Sequence, residues 1–145
     1  NTPSMLCVED ILDSLKWVKS IGGLKTTVAL SKKNLEIVEE WVNKIFWLEF
    51  LAKSPKNRSC TSICLSINDE RFNSLNHDNK KYLLNQIVSY LEKEKVAYDI
   101  NSYRDAPLGI RIWGGATVIQ NDISILMSWI EWSYENFITN KVEDN

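Results

Sequence analysis

The sequence contains few of the residues that metal sites and disulfide frameworks need. In 145 residues it has one His and three Cys. A single His without a Cys-x-x-Cys pair gives no basis for a structural zinc site. The Cys count is odd, and Cys60 and Cys64, if they share a strand, lie roughly 13 Å apart, too far for a disulfide. His77 stands beside Asp78 at a predicted helix start, where a solvated residue is favoured over a catalytic base.

The motifs of common phosphate-binding loops and hydrolases are also missing. The two glycine pairs, Gly22-Gly23 and Gly114-Gly115, lack the spacing and flanks of a dinucleotide-binding loop or a P-loop. There is no Gly-x-Ser-x-Gly and no His-Glu-x-x-His motif, and the acidic residues fall mainly on predicted helix exteriors. The residue chemistry therefore indicates anion binding and no nucleophile.

Neither sign of charge is in large excess, and no apolar run is long. The chain has 17 Lys and Arg against 19 Asp and Glu, a formal net charge of -2, with the two signs interleaved. This pattern predicts no nucleic-acid partner and no anionic membrane. No run approaches the ~20 residues of a membrane span, and no leader segment is recognisable, so we expect a cytoplasmic protein. The opening Asn1-Thr2-Pro3-Ser4 is unlike a natural start, and we interpret residues 1–145 as one domain cut from a longer protein.

Four segments carry apolar residues at helical spacing. The first helix is predicted over about Pro3–Ile21, with Thr2 as its N-cap and an apolar face that belongs to the core. The second begins after a cap at Ser31 and ends near Trp47, and helix is also favoured, on a weaker pattern, over 24–30. The apolar stripes of the other two helices are Leu83, Leu84, Ile87, Val88 and Leu91, and Ile123, Leu126, Met127, Ile130, Tyr134 and Phe137.

Three shorter segments are predicted to be strands. Ser59–Ile67 alternates apolar and polar residues, the pattern of a half-buried strand, and Val96–Ile100 and Gly109–Trp113 are shorter β-prone runs. The predicted order is helix, helix, strand, helix, strand, strand, helix. Such few and short strands, joined partly by a hairpin-sized turn, predict an α+β fold. We expect a small, largely antiparallel sheet of about three strands covered by four main helices.

Two arginines flank the turn that precedes the last strand. Asp105, Pro107 and Gly109 break regular structure, Arg104 comes just before them, and Arg111 lies in the strand that follows. A reversal of the chain can bring two guanidinium groups close together, and such groups bind carboxylate or phosphate through paired hydrogen bonds. The pair predicts a site for an anion with two acidic groups. The alternative is that both arginines are solvated or lie in surface ion pairs of little energetic value.

Three stretches of the chain resemble phosphoserine aminotransferase, in the form found in alphaproteobacteria. They are the opening Asn1–Asp10, the segment Asn57–Ser62 and the run Tyr103–Val118, and the likeness extends from Asn1 to about Phe137. The resemblance implies the C-terminal small domain of a fold type I, class V transferase that depends on pyridoxal 5'-phosphate. Members of that family are homodimers that exchange an amino group between 3-phosphoserine and 2-oxoglutarate in serine biosynthesis.

The same resemblance implies roles for four residues. Arg111 matches the arginine that grips the substrate α-carboxylate, and Arg104 matches the one that meets the substrate phosphate or distal carboxylate. Asn1 and Thr2 match a pair that reaches the cofactor phosphate across the dimer, whereas Tyr103 stands where many members have His. The family's Schiff-base lysine and the acid that faces the pyridine nitrogen belong to a large domain upstream of Asn1. We therefore expect the chain by itself to be catalytically silent.

Two other functions fit the residues without that resemblance. One is a stand-alone α+β module that binds a small dianion for regulation and catalyses nothing. The other is a protein-interaction domain in which Trp129 and Trp132 are surface anchors. A reading frame that continues upstream of Asn1 into a lysine-bearing domain distinguishes the enzyme from both alternatives.

Overall fold

The predicted α+β class is confirmed by the computed structural model, which describes residues 2–143. In this part of the chain, four long helices and one helical turn accompany a three-stranded antiparallel sheet. The elements are α1 (Met5–Ser20), α2 (Gly23–Val42), β1 (Leu48–Phe50), β2 (Ser62–Ile67), α3 (Glu70–Asn73), α4 (His77–Lys93), β3 (Gly109–Trp113) and α5 (Gln120–Glu143), with a 3-10 turn at Pro55–Asn57.

The sheet has β2 in its centre, with β1 and β3 antiparallel on either side. The alternation predicted for Ser59–Ile67 is confirmed from Ser62 onward, because every second residue of β2 is buried and the residues between are only partly buried. Cys64 of β2 lies opposite Arg111 of β3. Paired residues project to the same side of a sheet, so the register places Arg111 on the face away from the buried isoleucines.

The prediction of a strand at Val96–Ile100 is wrong. Lys95 and Asp99 have left-handed φ angles of 59° and 52°, which an extended strand does not allow. This segment makes an isolated bridge between Asn101 and Ile110. The third strand is instead β1. The sequence pattern did not reveal this strand, because we expected the second helix to continue to Trp47, directly before β1.

The core lies between one face of the sheet and helices α2, α4 and α5. Val38, Leu91 and Ile130, one from each helix, have no exposed surface, and burial of each such side chain contributes about 1.5–3 kcal/mol. Trp47 stacks on Tyr134 with ring centroids 3.9 Å apart. Burial raises the pKa of the Tyr134 hydroxyl. Within residues 2–143, no helix combines the length and the apolarity that crossing a membrane requires.

Helix α1 departs from the sequence prediction in its burial more than in its bounds. It starts at Met5 after an N-cap at Ser4, not at Pro3 after Thr2, and it ends where Gly22 takes a φ of +107° that glycine adopts readily. The predicted cap Ser31 is a buried residue inside α2, because helix is continuous through 24–30. No residue of α1 is buried, so the expectation that its apolar face belongs to the core is wrong for the part of the chain that the structure describes.

Candidate functional site

The turn that precedes β3 is closed by its own backbone. The amide N–H of Ala106 donates to the carbonyl of Tyr103 at 3.0 Å, and Pro107 then leads into the strand. A side chain at Gly109 would fall on the Leu65 carbonyl of β2, so only glycine fits where the turn meets the sheet. The close approach of β3 to β2 fixes the register that presents Arg111.

Arg111 is the more buried of the two arginines that flank the turn. Its side chain is only 11% exposed, and its Nη2 donates to the Asp99 carboxylate at 2.7 Å and to the Asp99 carbonyl at 3.0 Å. The guanidinium carbon lies 4.4 Å from the centroid of the Tyr103 ring. This cation–π contact restricts the orientation of the guanidinium group. Its Nε is buried and has no hydrogen-bond partner among residues 2–143. Arg111 is therefore positioned by its surroundings and keeps an unused donor.

The acid that faces Arg111 is a weak partner. The Asp99 side chain is 88% exposed, and an ion pair with an exposed carboxylate is worth about 0–1 kcal/mol. Asp99 also has a left-handed φ of 52°, a conformation that Asp adopts more readily than most other non-glycine residues. Another carboxylate could replace Asp99 on Arg111 at small cost.

Arg104 comes directly after Tyr103, whose ring covers the Arg111 guanidinium. It is exposed, and within the described residues no hydrogen bond or ion pair engages it. The turn thus places the backbone of Arg104 next to Tyr103, while the Arg104 guanidinium is open to solvent. That both arginines grip one anion stays a prediction.

The space beside Arg111 is small in the described part of the chain. A cavity of about 30 Å³ is bordered by Tyr103, Pro107, Arg111 and their neighbours, whereas small-molecule sites usually occupy about 300–1,000 Å³. By itself, the cavity beside Arg111 is therefore too small to enclose a metabolite-sized anion.

Arg58 and Arg71 are held by the fold itself. Arg58 donates to the Glu39 carboxylate at 2.8 Å and lies 4.0 Å above the Phe50 ring. Arg71 bridges Asp69 and Glu135 with four hydrogen bonds of 2.7–3.2 Å and a fifth at 3.3 Å. The sequence analysis did not single out Arg71.

The environment of Asp69 explains why Arg71 stays in place. Burial alone raises the pKa of the Asp69 carboxyl, but hydrogen bonds from the Arg71 side chain and backbone N–H outweigh burial and lower it. Hydrogen bonds to Asp69 and then to Glu135 raise the pKa of Arg71 in turn. Asp69 also caps α3 by accepting from the Arg71 amide at 2.8 Å. This cluster connects α3 to α5 and is structural.

Asn34 is a second residue that sequence reasoning missed. It is fully buried in α2, and its Nδ2 donates to the carbonyls of Gly114, Gly115 and Val118 at 3.0–3.2 Å. These bonds hold the loop that leaves β3. The sequence did contain a signal for Asn34. Asn34 precedes the buried Val38 by four positions, so a polar residue lies within the apolar stripe of α2.

The cofactor-binding role of Asn1 and Thr2 stays a prediction. Asn1 lies outside the described residues, and Thr2 is exposed ahead of α1. The first turn of α1 has no acidic residue, and the Ser4 side chain makes no capping bond, so the amide donors of that turn are open to an anion. Residues 2–143 contain no cluster of three or more His, Cys, Asp or Glu side chains able to hold a metal ion.

Comparison with known proteins adds the family context. No family model matches the chain. Phosphoserine aminotransferase of Methanosarcina barkeri (strain Fusaro) is 48% identical over 136 residues, and the Methanosarcina mazei enzyme is 46% identical over 135 residues. The chain is similar to phosphoserine aminotransferases. The matches cover 92% and 93% of this chain but 34% of each relative, so the chain spans about a third of the length of these relatives. Both are archaeal, and the alphaproteobacterial type stays a prediction.

Solved structures of phosphoserine aminotransferase share the fold. Two structures from a study of radiation damage to the Schiff base of that enzyme match with a TM-score of 0.74 each and 18% identity. They cover 94% of this chain, which corresponds to 35% and 34% of the solved chains. At this identity the likeness shows the fold, and it agrees with the α+β domain that was predicted.

Proposed function

We propose that this chain is the C-terminal, substrate-binding domain of a phosphoserine aminotransferase. Residues 1–145 form the small domain, and a large domain with the Schiff-base lysine precedes Asn1 in the same polypeptide. The complete protein is a cytoplasmic homodimer, of the alphaproteobacterial type, that exchanges an amino group between 3-phosphoserine and 2-oxoglutarate in serine biosynthesis. The observation that carries the proposal is Arg111, a mostly buried guanidinium with an unused donor, in a chain 46–48% identical to such enzymes.

Arg111 holds the α-carboxylate of the substrate in this proposal. The pairing of β3 with β2 and the Tyr103 ring restrict its side chain, so little conformational entropy is lost when a carboxylate binds. The incoming carboxylate takes the place of Asp99. Because the guanidinium is planar and permanently charged, it fixes the orientation of the amino acid as well as its affinity.

Arg104 meets the second acidic group, the phosphate of phosphoserine or the distal carboxylate of 2-oxoglutarate. Its exposed guanidinium at the turn has no competing acid among the described residues. Two substrates with different tails need a cation that can adjust its position, and an arginine on a turn is more mobile than one in a strand. The large domain supplies the remaining walls that the small cavity beside Arg111 lacks.

The cofactor is pyridoxal 5'-phosphate, which supplies the electron sink for amino transfer when it is bound. Asn1 and Thr2 contribute to its phosphate site. The start of α1 fits this group, because it has free amide donors and no carboxylate in its first turn. The chain by itself binds one side of the substrate and has no catalytic activity.

The complete gene product tests the proposal. Purified protein should show the visible absorbance band of the cofactor, and the band should shift when phosphoserine is added. With 2-oxoglutarate present, amino transfer should follow. A reading frame that begins at Asn1, or a complete protein with neither the band nor the transfer, would contradict the proposed function and favour the stand-alone anion-binding module.

A further inference from the structure

The apolar stripe of α1 is only partly covered in the described part of the chain. Val8, Ile11, Leu12, Leu15 and Val18 recur at helical spacing. Val8 and Val18 are half-buried, whereas Ile11, Leu12 and Leu15 are 59%, 43% and 57% exposed. Single exposed apolar residues are normal, but a contiguous stripe on one helix face indicates a surface that is covered in the working protein.

The other long helices show that the fold buries such stripes where it can. Helices α2, α4 and α5 each place residues in the core, whereas α1 packs on α2 and buries none of its residues. Leu24 and Val28, at the start of α2 and soon after the end of α1, are also exposed apolar residues. The core is complete without the α1 stripe, so the stripe is available to another body.

We propose that the α1 stripe is the docking surface for the preceding part of the same polypeptide. This inference rests on the proposed function, in which a large domain leads into Asn1. The relatives are about three times as long as the matched segment, which covers 34% of each. A domain of that size, joined a few residues before Met5, is held next to the stripe at high effective concentration. Domain interfaces within a chain need about 600–1,500 Å², and the stripe is the apolar centre of such an area.

The reactivity of Cys7 reports on this docking. Cys7 is exposed in the described structure, and it lies one helical turn before Ile11 on the edge of the stripe. The experiment measures the rate at which a maleimide modifies Cys7 in the complete protein and in the 145-residue chain, read by mass spectrometry of the peptide that contains Cys7. We expect the rate in the complete protein to be at least ten-fold lower.

Two substitutions in the complete protein separate docking from other causes of protection. Leu15→Glu places a charge in the middle of the stripe and should raise the Cys7 rate at least ten-fold. Ile125→Glu is the matched control, because Ile125 is an apolar residue of α5 that is 50% exposed, and it should leave the rate unchanged. If Leu15→Glu does not fold, the comparison of the two unmodified proteins still decides the question.

The outcomes distinguish this inference from the proposed function. A complete protein that transfers the amino group of phosphoserine but leaves Cys7 as reactive as in the 145-residue chain overturns docking alone. Protection of Cys7 in a complete protein without aminotransferase activity supports docking and contradicts the function. Protection of Cys7 that falls on dilution, in the complete protein or in the 145-residue chain, also overturns the proposal, since it would mean that a second copy covers the stripe.

Discussion

The side chain of Arg71 is partly buried and that of Arg111 is mostly buried, but the carboxylates that they face differ in exposure. Arg71 bridges Asp69, whose side chain is 4% exposed, and Glu135 on another helix. Arg111 faces one carboxylate that is 88% exposed and keeps a buried Nε without a partner in residues 2–143. The donors of Arg71 satisfy acids of the fold itself, whereas in the proposed function the Arg111 guanidinium meets the carboxylate of a substrate.

The two arginines differ in one property that bears on the binding role proposed for Arg111. The charge and the residue type are the same, and the exposure of the two side chains does not decide the role, since Arg71 is 35% exposed and Arg111 only 11%. What differs is the partner. A buried carboxylate cannot leave its cation without a large desolvation cost, whereas an exposed one exchanges easily with a ligand.

The largest expected effect is on activity, from Arg111→Ala in the complete protein. Losing a charge-assisted carboxylate contact should lower kcat/KM for phosphoserine by a factor of roughly 100 or more. The free energy of unfolding of the 145-residue chain should change by less than about 1 kcal/mol, because the two side chains that lose a contact, Asp99 and Tyr103, are both exposed. Steady-state kinetics and urea unfolding measure the two quantities. Unchanged kinetics would remove Arg111 from the substrate site.

Arg71→Ala should show the reverse pattern. It leaves the buried Asp69 without its cation, and we expect the chain to lose about 2–3 kcal/mol of unfolding free energy, at the low end for a buried pair because Arg71 itself is partly solvated. The remaining folded enzyme should keep its kcat/KM. Arg71→Lys is the matched control and should recover part of the stability. A large loss of kcat/KM in protein that is still folded would contradict a purely structural role.

The Asp69 cluster should also make stability depend on acid pH. The pKa of Asp69 is lower in the folded chain than its usual value near 3.8, so its contribution is fully present above about pH 4 and is lost as the pH falls through the folded pKa. The difference in unfolding free energy between the unmodified chain and Asp69→Asn should be about 1.5 kcal/mol at pH 7. It should shrink toward pH 2. Urea unfolding at several pH values tests the sign, and a difference that grows on acidification would contradict it.

The smallest effect is expected at the partner of Arg111. Asp99→Asn removes the exposed carboxylate that pairs with the Arg111 guanidinium. Asn tolerates the left-handed φ of this position. In the complete protein the KM for phosphoserine should fall by about two- to five-fold, since an exposed pair is worth about 1 kcal/mol or less. Glu39→Gln, which alters the partner of Arg58, is the control and should leave KM unchanged. A higher KM in Asp99→Asn would mean that Asp99 positions Arg111.

Parts of the fold and site follow from short stretches of sequence. The alternation in Ser59–Ile67 and the helical stripes were enough to predict the α+β class and the long helices, and the turn residues around Gly109 located Arg111 in a strand. The strand predicted at Val96–Ile100 failed because the backbone reverses at Lys95 and Asp99 with positive φ, which β-prone side chains do not reveal. Strand β1 was missed because three residues give too little alternation to recognise.

The sequence alone determined the pattern of apolar residues, and with it the kinds of elements and the order of most of them, because helix and strand periodicity acts between neighbours in the chain. Only the tertiary structure decided what each polar group binds. Arg71 finds Glu135 across 64 positions and Asn34 finds Gly114 across 80, and no local pattern encodes such pairs. The same reason applies to α1, since its stripe resembles that of any core helix until the fold shows that, within the described residues, none of it is fully buried.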